Sequence, residues 1–324
     1  MTDGRGGATA ADVGEFGVVG AVVARLGAIG GSTLVGPGDD AALVSTSDGR
    51  VVATTDLLLE GRHFRRDWSS AADIGHKSAA QNLADVAAMG AVPTALLLGL
   101  GIPADLPVAW AEELADGLRE ECALVGAQVV GGDVVRSEQV VVSITALGDL
   151  GGRAPVLRSG ARPGDVVAVA GRLGWAAAGL AVLGRGFRSP ARLVAAHRRP
   201  QPPYDAGPEA ATLGATAMVD VSDGLVADVG HVAGASGVAI ELDSGTLEVA
   251  SPLVDLGHAF GVDPLDWVFT GGDEHSLVAT FPADVALPER WRAIGRVAAG
   301  EGVLVDGERR AGGGHDHFAG DSQR

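Results

Sequence analysis

The stretch Asp149-Leu150-Gly151-Gly152-Arg153-Ala154-Pro155 divides the chain into two parts of similar grammar. Two adjacent glycines and a proline interrupt both helix and strand, so the segment reads as a linker. On its N-terminal side, helical spacing covers residues 15–28, 71–89 and 106–125. Strand-like apolar runs cover 41–44, 50–55, 93–100, 128–130 and 139–147. On its C-terminal side the alternation restarts at Asp165. Helices are expected over 175–183, 190–197 and 223–235, and strands over 217–221, 238–242, 267–270 and 276–281. This pattern defines the α/β (mixed α+β) class with two domains, each a mixed sheet packed with helices. The expected boundaries are a disordered tail at 1–11, an N-terminal domain at 12–150 and a C-terminal domain at 151–324.

A chain of 324 residues has room for two cores of ordinary size. Hydrophobic residues make up 47% but aromatics only 4%, so those cores must be built from Ala, Val and Leu. The net charge of −17 repels phosphate backbones and anionic lipid, so neither nucleic acid nor a membrane is an expected partner. No apolar run reaches the roughly 20 residues of a membrane span, and the first eleven residues are polar, so the cytoplasm is the expected compartment. The single cysteine, Cys122, excludes an intrachain disulfide and a multi-cysteine metal site. Its helical surroundings make it a small core residue.

Aspartates recur beside glycine, threonine or serine. They appear as Gly36-Pro37-Gly38-Asp39-Asp40, Thr54-Thr55-Asp56, Gly131-Gly132-Asp133, Asp220-Val221-Ser222-Asp223-Gly224 and Gly271-Gly272-Asp273-Glu274. Asp85 adds a carboxylate inside a helix. Each instance alone also fits an ordinary turn or helix cap. As a series, each beyond an apolar strand, they would line carboxylates along one edge of the sheets. Such crowding opposes folding unless a cation offsets it. Hard oxygen donors of this kind suit magnesium bridged to phosphate. The EF-hand loop, the Walker A loop and a helix-opening G-x-G-x-x-G are all missing. Phosphates would then be held by metal, backbone N–H groups and an arginine such as Arg158.

Together these segments resemble the thiamine-monophosphate kinase family, within the wider aminoimidazole-ribonucleotide-synthetase-like group of ATP-using enzymes. The resemblance runs through Gly36 to Ala41, Thr54-Thr55-Asp56, Glu60-Gly61-Arg62-His63-Phe64, Lys77 and Asn82 to Ala91. It continues through Gly131-Gly132-Asp133, Arg158 to Asp165, Asp220 to Leu225 and Asp316-His317-Phe318. It implies Asp39, Thr54, Thr55, Asp56, Asp85, Asp133 and Asp220 as magnesium ligands, Asp223 on a further ion, and Asp40 added to the set. It implies Gly132, Asp133, Arg158 and Ser222 as ATP contacts, and His63, Asp273 and His315 as contacts to thiamine monophosphate. Two positions depart from the family pattern. Asp273 stands where the family carries a longer Glu, and His315 stands where it carries an aromatic residue.

The resemblance further implies ATP as co-substrate, several magnesium ions, and a homodimer paired through its N-terminal domains. The C-terminal domain would complete the nucleotide and substrate site. The acceptor is a phosphate monoester with a second pKa of about 6, so its oxygen is already anionic near neutral pH. No general base is then needed, and direct in-line transfer is the expected chemistry. Two other readings remain. One is a different ATP-using member of the group, of the cyclo-ligase type. The other is an acidic metal-binding protein without turnover.

Overall fold

The computed structural model of the chain describes residues 8–27, 30–35 and 43–310. The chain splits into two compact units, Met1–Val86 with Ala91–Gly152, and Ala87–Gly90 with Arg153–Arg324.

The first unit carries α1 (Ala10–Arg25), β1 (Thr33–Val35), β2 (Leu43–Val44), β3 (Val52–Leu59), α2 (Ala71–Ala88), β4 (Val92–Ile102), α3 (Val108–Ala123), β5 (Gln128–Arg136) and β6 (Val141–Asp149). Helix α1 starts earlier than its apolar spacing suggests because Thr9 and Asp12 form a capping box. The Asp12 amide donates to Thr9 Oγ1, while the Thr9 amide donates to Asp12 Oδ2. Residues 9–11, expected within the disordered tail, are therefore the cap and first helical residues. Strands β1 and β2 form a short antiparallel pair. The main sheet has the order β3-β6-β4-β5, antiparallel except for the β4–β5 pair. Leu83, Leu96, Leu100, Leu114, Leu118 and Ile144 are fully buried, which makes this an aliphatic core as the composition requires. Close approach of α2 to α3 depends on Gly75 and Gly117. A Cβ on either would sit 2.2 Å from a backbone oxygen of the facing helix.

Two strands run further than the sequence suggests. Strand β3 continues to Leu59 and β5 to Arg136, because their neighbours β6 and β4 go on pairing with them. Thr54-Thr55-Asp56 and Gly131-Gly132-Asp133 consequently lie within strands. They are not turns beyond strand ends.

The second unit carries β7 (Val166–Ala170), α4 (Trp175–Gly184), α5 (Ala191–Arg198), α6 (Ala206–Leu213), β8 (Ala217–Asp220), α7 (Leu225–Ser236), β9 (Ala239–Leu242), α8 (Ser251–Phe260), α9 (Pro264–Thr270), β10 (Leu277–Phe281), β11 (Arg292–Ala298), β12 (Gly302–Val305) and β13 (Glu308–Arg309). Its sheet has the order β13-β12-β9-β11-β7-β10-β8, and only β9–β12 is parallel. The central strands β7 and β10 are apolar and almost wholly buried. The run 267–270, expected as a strand, is the end of helix α9. Asp263 caps that helix by accepting from the Leu265 amide at 2.9 Å, and Pro264 opens it. Gly271-Gly272-Asp273 thus follows a helix.

Candidate functional site

In the first unit, strand alternation sorts the expected ligands. Thr54 and Asp56 share the face of β3 that meets α2. The Thr54 hydroxyl donates to Asp85 Oδ2 at 2.8 Å, and the Asp56 amide donates to Asn82 Oδ1 at 3.1 Å. Asn82 is itself buried and donates to the Ser78 carbonyl one turn earlier, so α2 fixes both contacts. Thr54, Asp56 and Asp85 are brought together. The cross-strand register runs Asp56, Ile144, Leu98, Gly132 on this face.

Thr55 and Asp133 belong to the opposite face. The register there places Thr55 beside Thr145 and Leu97, and Asp133 beside Gly99 and Ser143. The Thr145 hydroxyl donates to Thr55 Oγ1 at 3.2 Å, and Thr55 donates to the Ile144 carbonyl at 3.0 Å. That face exposes Leu57, Leu97 and Val135. Gly132, expected as a nucleotide contact, has a structural reason of its own. A Cβ there would stand 2.0 Å from the Leu98 carbonyl oxygen, so only glycine fits against β4.

His63 follows β3 in a tight turn. Its Nδ1 accepts from the Leu59 amide at 3.0 Å, while its own amide donates to the Leu59 carbonyl at 3.0 Å. An amide can only donate, so Nδ1 is the unprotonated nitrogen of this imidazole. Asp39, Asp40 and His315 lie outside the described residues.

The second unit gathers Asp220, Ser222, Asp223 and Asp273. Asp220 ends β8 and is buried. Asp273 and His275 both have positive φ, 63° and 55°, a costly backbone for residues with side chains. Two cross-links hold them there. The Asp273 amide donates to the Ser222 carbonyl, and the His275 amide to the Val221 carbonyl, each at 2.9 Å. Asp273 is thereby fixed by its backbone beside Ser222. Its carboxylate lies 4.0 Å from His197 Nδ1.

Three more residues of this region, none of them assigned a role from the sequence, join the same network. His275 Nδ1 lies 3.0 Å from Asp220 Oδ2. Asp228, in the first turn of α7, accepts from the Asp223 and Gly224 amides at 3.0 and 2.9 Å. Burial, then the nearby Asp220 and Asp223 charges, push its carboxyl up to about 7. Glu274 is buried and accepts from the Ala176 amide at the start of α4, and burial pushes it up to about 7 as well. The only sequence signal was an Asp a few residues after a Ser-Asp-Gly turn, which is a capping pattern. Arg158 follows Leu157, whose carbonyl accepts from the Met218 amide at 3.0 Å, so its loop starts beside β8.

Among the described residues, no three His, Cys, Asp or Glu side chains converge on one point. Magnesium does not require that. It keeps several waters and is bound through one or two carboxylates together with substrate phosphates. The donors present are hard oxygens. Burial raises Asp228 most, and the added repulsion from Asp220 and Asp223 is the part a divalent cation relieves. Both features fit magnesium.

This fold and this arrangement of acidic strands and turns match a known architecture. Residues 38–150 match the family model of the AIR synthase related protein N-terminal domain, and residues 162–307 match that of the C-terminal domain. The thiamine-monophosphate kinase of Mycobacterium tuberculosis is 51% identical over 306 residues, covering 94% of this chain and 91% of that protein. Among solved structures, the thiamine-monophosphate kinase of Stenotrophomonas maltophilia superposes with a TM-score of 0.80 at 35% identity, covering 90% of this chain and 96% of that one. The structure described as AaThiL complexed with AMPPCP and TMP superposes with a TM-score of 0.79 at 34% identity, covering 94% and 97%. The chain is an AIR synthase related protein and, within that group, belongs to the thiamine-monophosphate kinase family.

Proposed function

We propose that this protein transfers the γ-phosphoryl group of ATP to thiamine monophosphate, giving thiamine diphosphate and ADP. The observation that carries the reading is Thr54, Asp56 and Asp85 held together between β3 and α2, in a chain 51% identical to a thiamine-monophosphate kinase. Thr54, Asp56 and Asp85 are the proposed ligands of one magnesium ion. Asp39, Asp40, Thr55, Asp133, Asp220 and Asp223 are proposed for further ions, Thr55 and Asp133 from the opposite face of the sheet. Magnesium, when bound, supplies neutralisation of the two reacting anions. Gly132, Asp133, Arg158 and Ser222 are the proposed nucleotide contacts, Arg158 offering a planar fork to a phosphate. His63, Asp273 and His315 are the proposed contacts to thiamine monophosphate.

With an acceptor oxygen already ionised near neutral pH, the protein's task is to bind and align rather than to remove a proton. No histidine is assigned as a base. His63 suits a positioning role, because the Leu59 amide holds its Nδ1 as an acceptor and leaves the proton on Nε2. The deciding experiment is a coupled assay with ATP, magnesium and thiamine monophosphate, following thiamine diphosphate by its oxidised fluorescence. Product that needs all three components supports the reading. Well-folded protein that binds ATP yet makes no thiamine diphosphate overturns the acceptor.

A homodimer paired through the first unit is part of the same proposal. The sheet face that bears Thr55 and Asp133 also exposes Leu57, Leu97 and Val135, apolar side chains that a second copy would cover. With α1 and β2 it walls a groove of about 1390 Å³ lined by Phe16, Val19, Leu43, Leu97 and Thr145. Leu97→Asp should convert the dimer to monomer in sedimentation velocity; a parent protein that is monomeric at micromolar concentration would refute the pairing. No helix among the described residues is long and apolar enough to cross a membrane. Both substrates are charged solutes, and the cytoplasm is the proposed compartment.

A further inference from the structure

The last residue of α7, Ser236, bonds to a loop far from it in sequence. Its hydroxyl accepts from the Gly160 amide at 3.1 Å and from the Ala161 amide at 3.2 Å. The same hydroxyl donates to the Arg158 carbonyl at 3.1 Å. A serine hydroxyl has one proton and two lone pairs, so these three bonds use its whole capacity on a single loop. The loop cannot close by its own preference. Gly160 sits at φ 134°, and a Cβ there would meet the Thr216 carbonyl oxygen at 2.4 Å. One end of the loop is tied to β8 through Leu157 and Met218, and the other through the Arg162 amide to Asp165. Between those ties, Ser236 is the side chain that sets where Arg158 starts.

The opposite end of the same helix is equally committed. Asp228 accepts the amides of Asp223 and Gly224, next to Ser222. Helix α7 has 12 residues, and at 1.5 Å per residue that makes a strut of about 18 Å. It fixes the Ser222-Asp223 turn at one end and the Arg158 loop at the other.

We propose that Ser236 is a positioning residue for ATP, acting through Arg158 by holding the 158–161 loop in its binding geometry. This rests on the reading of Arg158 as a nucleotide contact. Arg158 is exposed in this loop, and the Ser236 hydroxyl holds its carbonyl.

The test is a double-substitution cycle on the full-length protein in the coupled assay. S236A should raise the KM for ATP about tenfold, with kcat and the KM for thiamine monophosphate within about twofold of the parent. R158A should raise the KM for ATP at least as much. The doubly substituted protein should be no worse than R158A, because the two changes remove one contact. A purely structural role would instead move all kinetic constants together, or add to R158A, and either result overturns the proposal. If R158A leaves the KM for ATP unchanged, the nucleotide reading of Arg158 fails and the proposal falls with it. If R158A weakens ATP and S236A does not, only the positioning role fails. Should S236A not fold, S236T keeps the hydroxyl and must retain the parental KM for ATP, while S236G must lose it.

Discussion

The hydroxyl of Thr54 donates to the carboxylate of Asp85 across 2.8 Å, joining the middle of β3 to α2. The two residues are 31 positions apart, and each taken alone reads as an ordinary polar residue in a strand or helix. Their contact defines one corner of the proposed magnesium site, and it orients one Asp85 oxygen.

Thr54→Val removes that hydrogen bond and a hydroxyl ligand while preserving shape. The magnesium concentration for half-maximal activity should rise by about tenfold or more, the usual cost of losing an oriented ligand partner. Asp56→Asn should remove most turnover and leave the circular dichroism spectrum intact. Titrating magnesium in the coupled assay checks both, and an unchanged magnesium dependence in Thr54→Val would remove Thr54 from the site.

Gly132→Ala places a methyl group 2.0 Å from the Leu98 carbonyl oxygen, where only backbone movement can relieve it. The expected loss is about 3 kcal/mol or more of stability, at the upper end of overpacking effects. Urea unfolding of the variant would reveal it. A stability within experimental error of the parent would show that β4 and β5 can separate at this point.

Glu274 carries a pH signature. Its folded pKa, about 7, lies above the ordinary value of 4.5 because burial penalises the charged form. The protonated state therefore favours folding. That stability is complete below about 4.5 and is lost as the pH rises through about 7. Glu274→Gln keeps an oxygen to accept from Ala176 and removes the titration. Relative to the parent, it should gain about 2 kcal/mol of stability between pH 5 and pH 8. Unfolding curves of both proteins at the two pH values decide this, and parallel pH profiles would contradict it.

Cys122 is 1% exposed, and burial pushes its thiol up to about 12. At pH 8 a disulfide-exchange reagent should leave the native protein unlabelled and react with one thiol per chain once denaturant is added. Rapid labelling of native protein would mean that the first unit opens at α3.

The chain alone determined a good deal. Glycine and proline at 149–155 marked an expected linker. The shortage of aromatics required an aliphatic core, and the lone cysteine had to be structural. The order and spacing of short acidic motifs determined the family, since such motifs are local and need no knowledge of contacts.

What the tertiary structure decided was everything that depends on distant pairing. Which face of β3 is covered by α2, and hence that Asp56 meets Asn82 while Asp133 looks the other way, follows from the register of four strands. Gly132 is required by the close approach of the Leu98 carbonyl, not by a turn. Residues 267–270 were read as a strand from their apolar character, yet the Asp263 cap and Pro264 made them helical. Asp273 and His275 adopt positive φ only because Ser222 and Val221, some 50 residues earlier, accept their amides. Local propensity cannot encode these outcomes, because each is stabilised by a partner that the sequence places far away and the fold brings near.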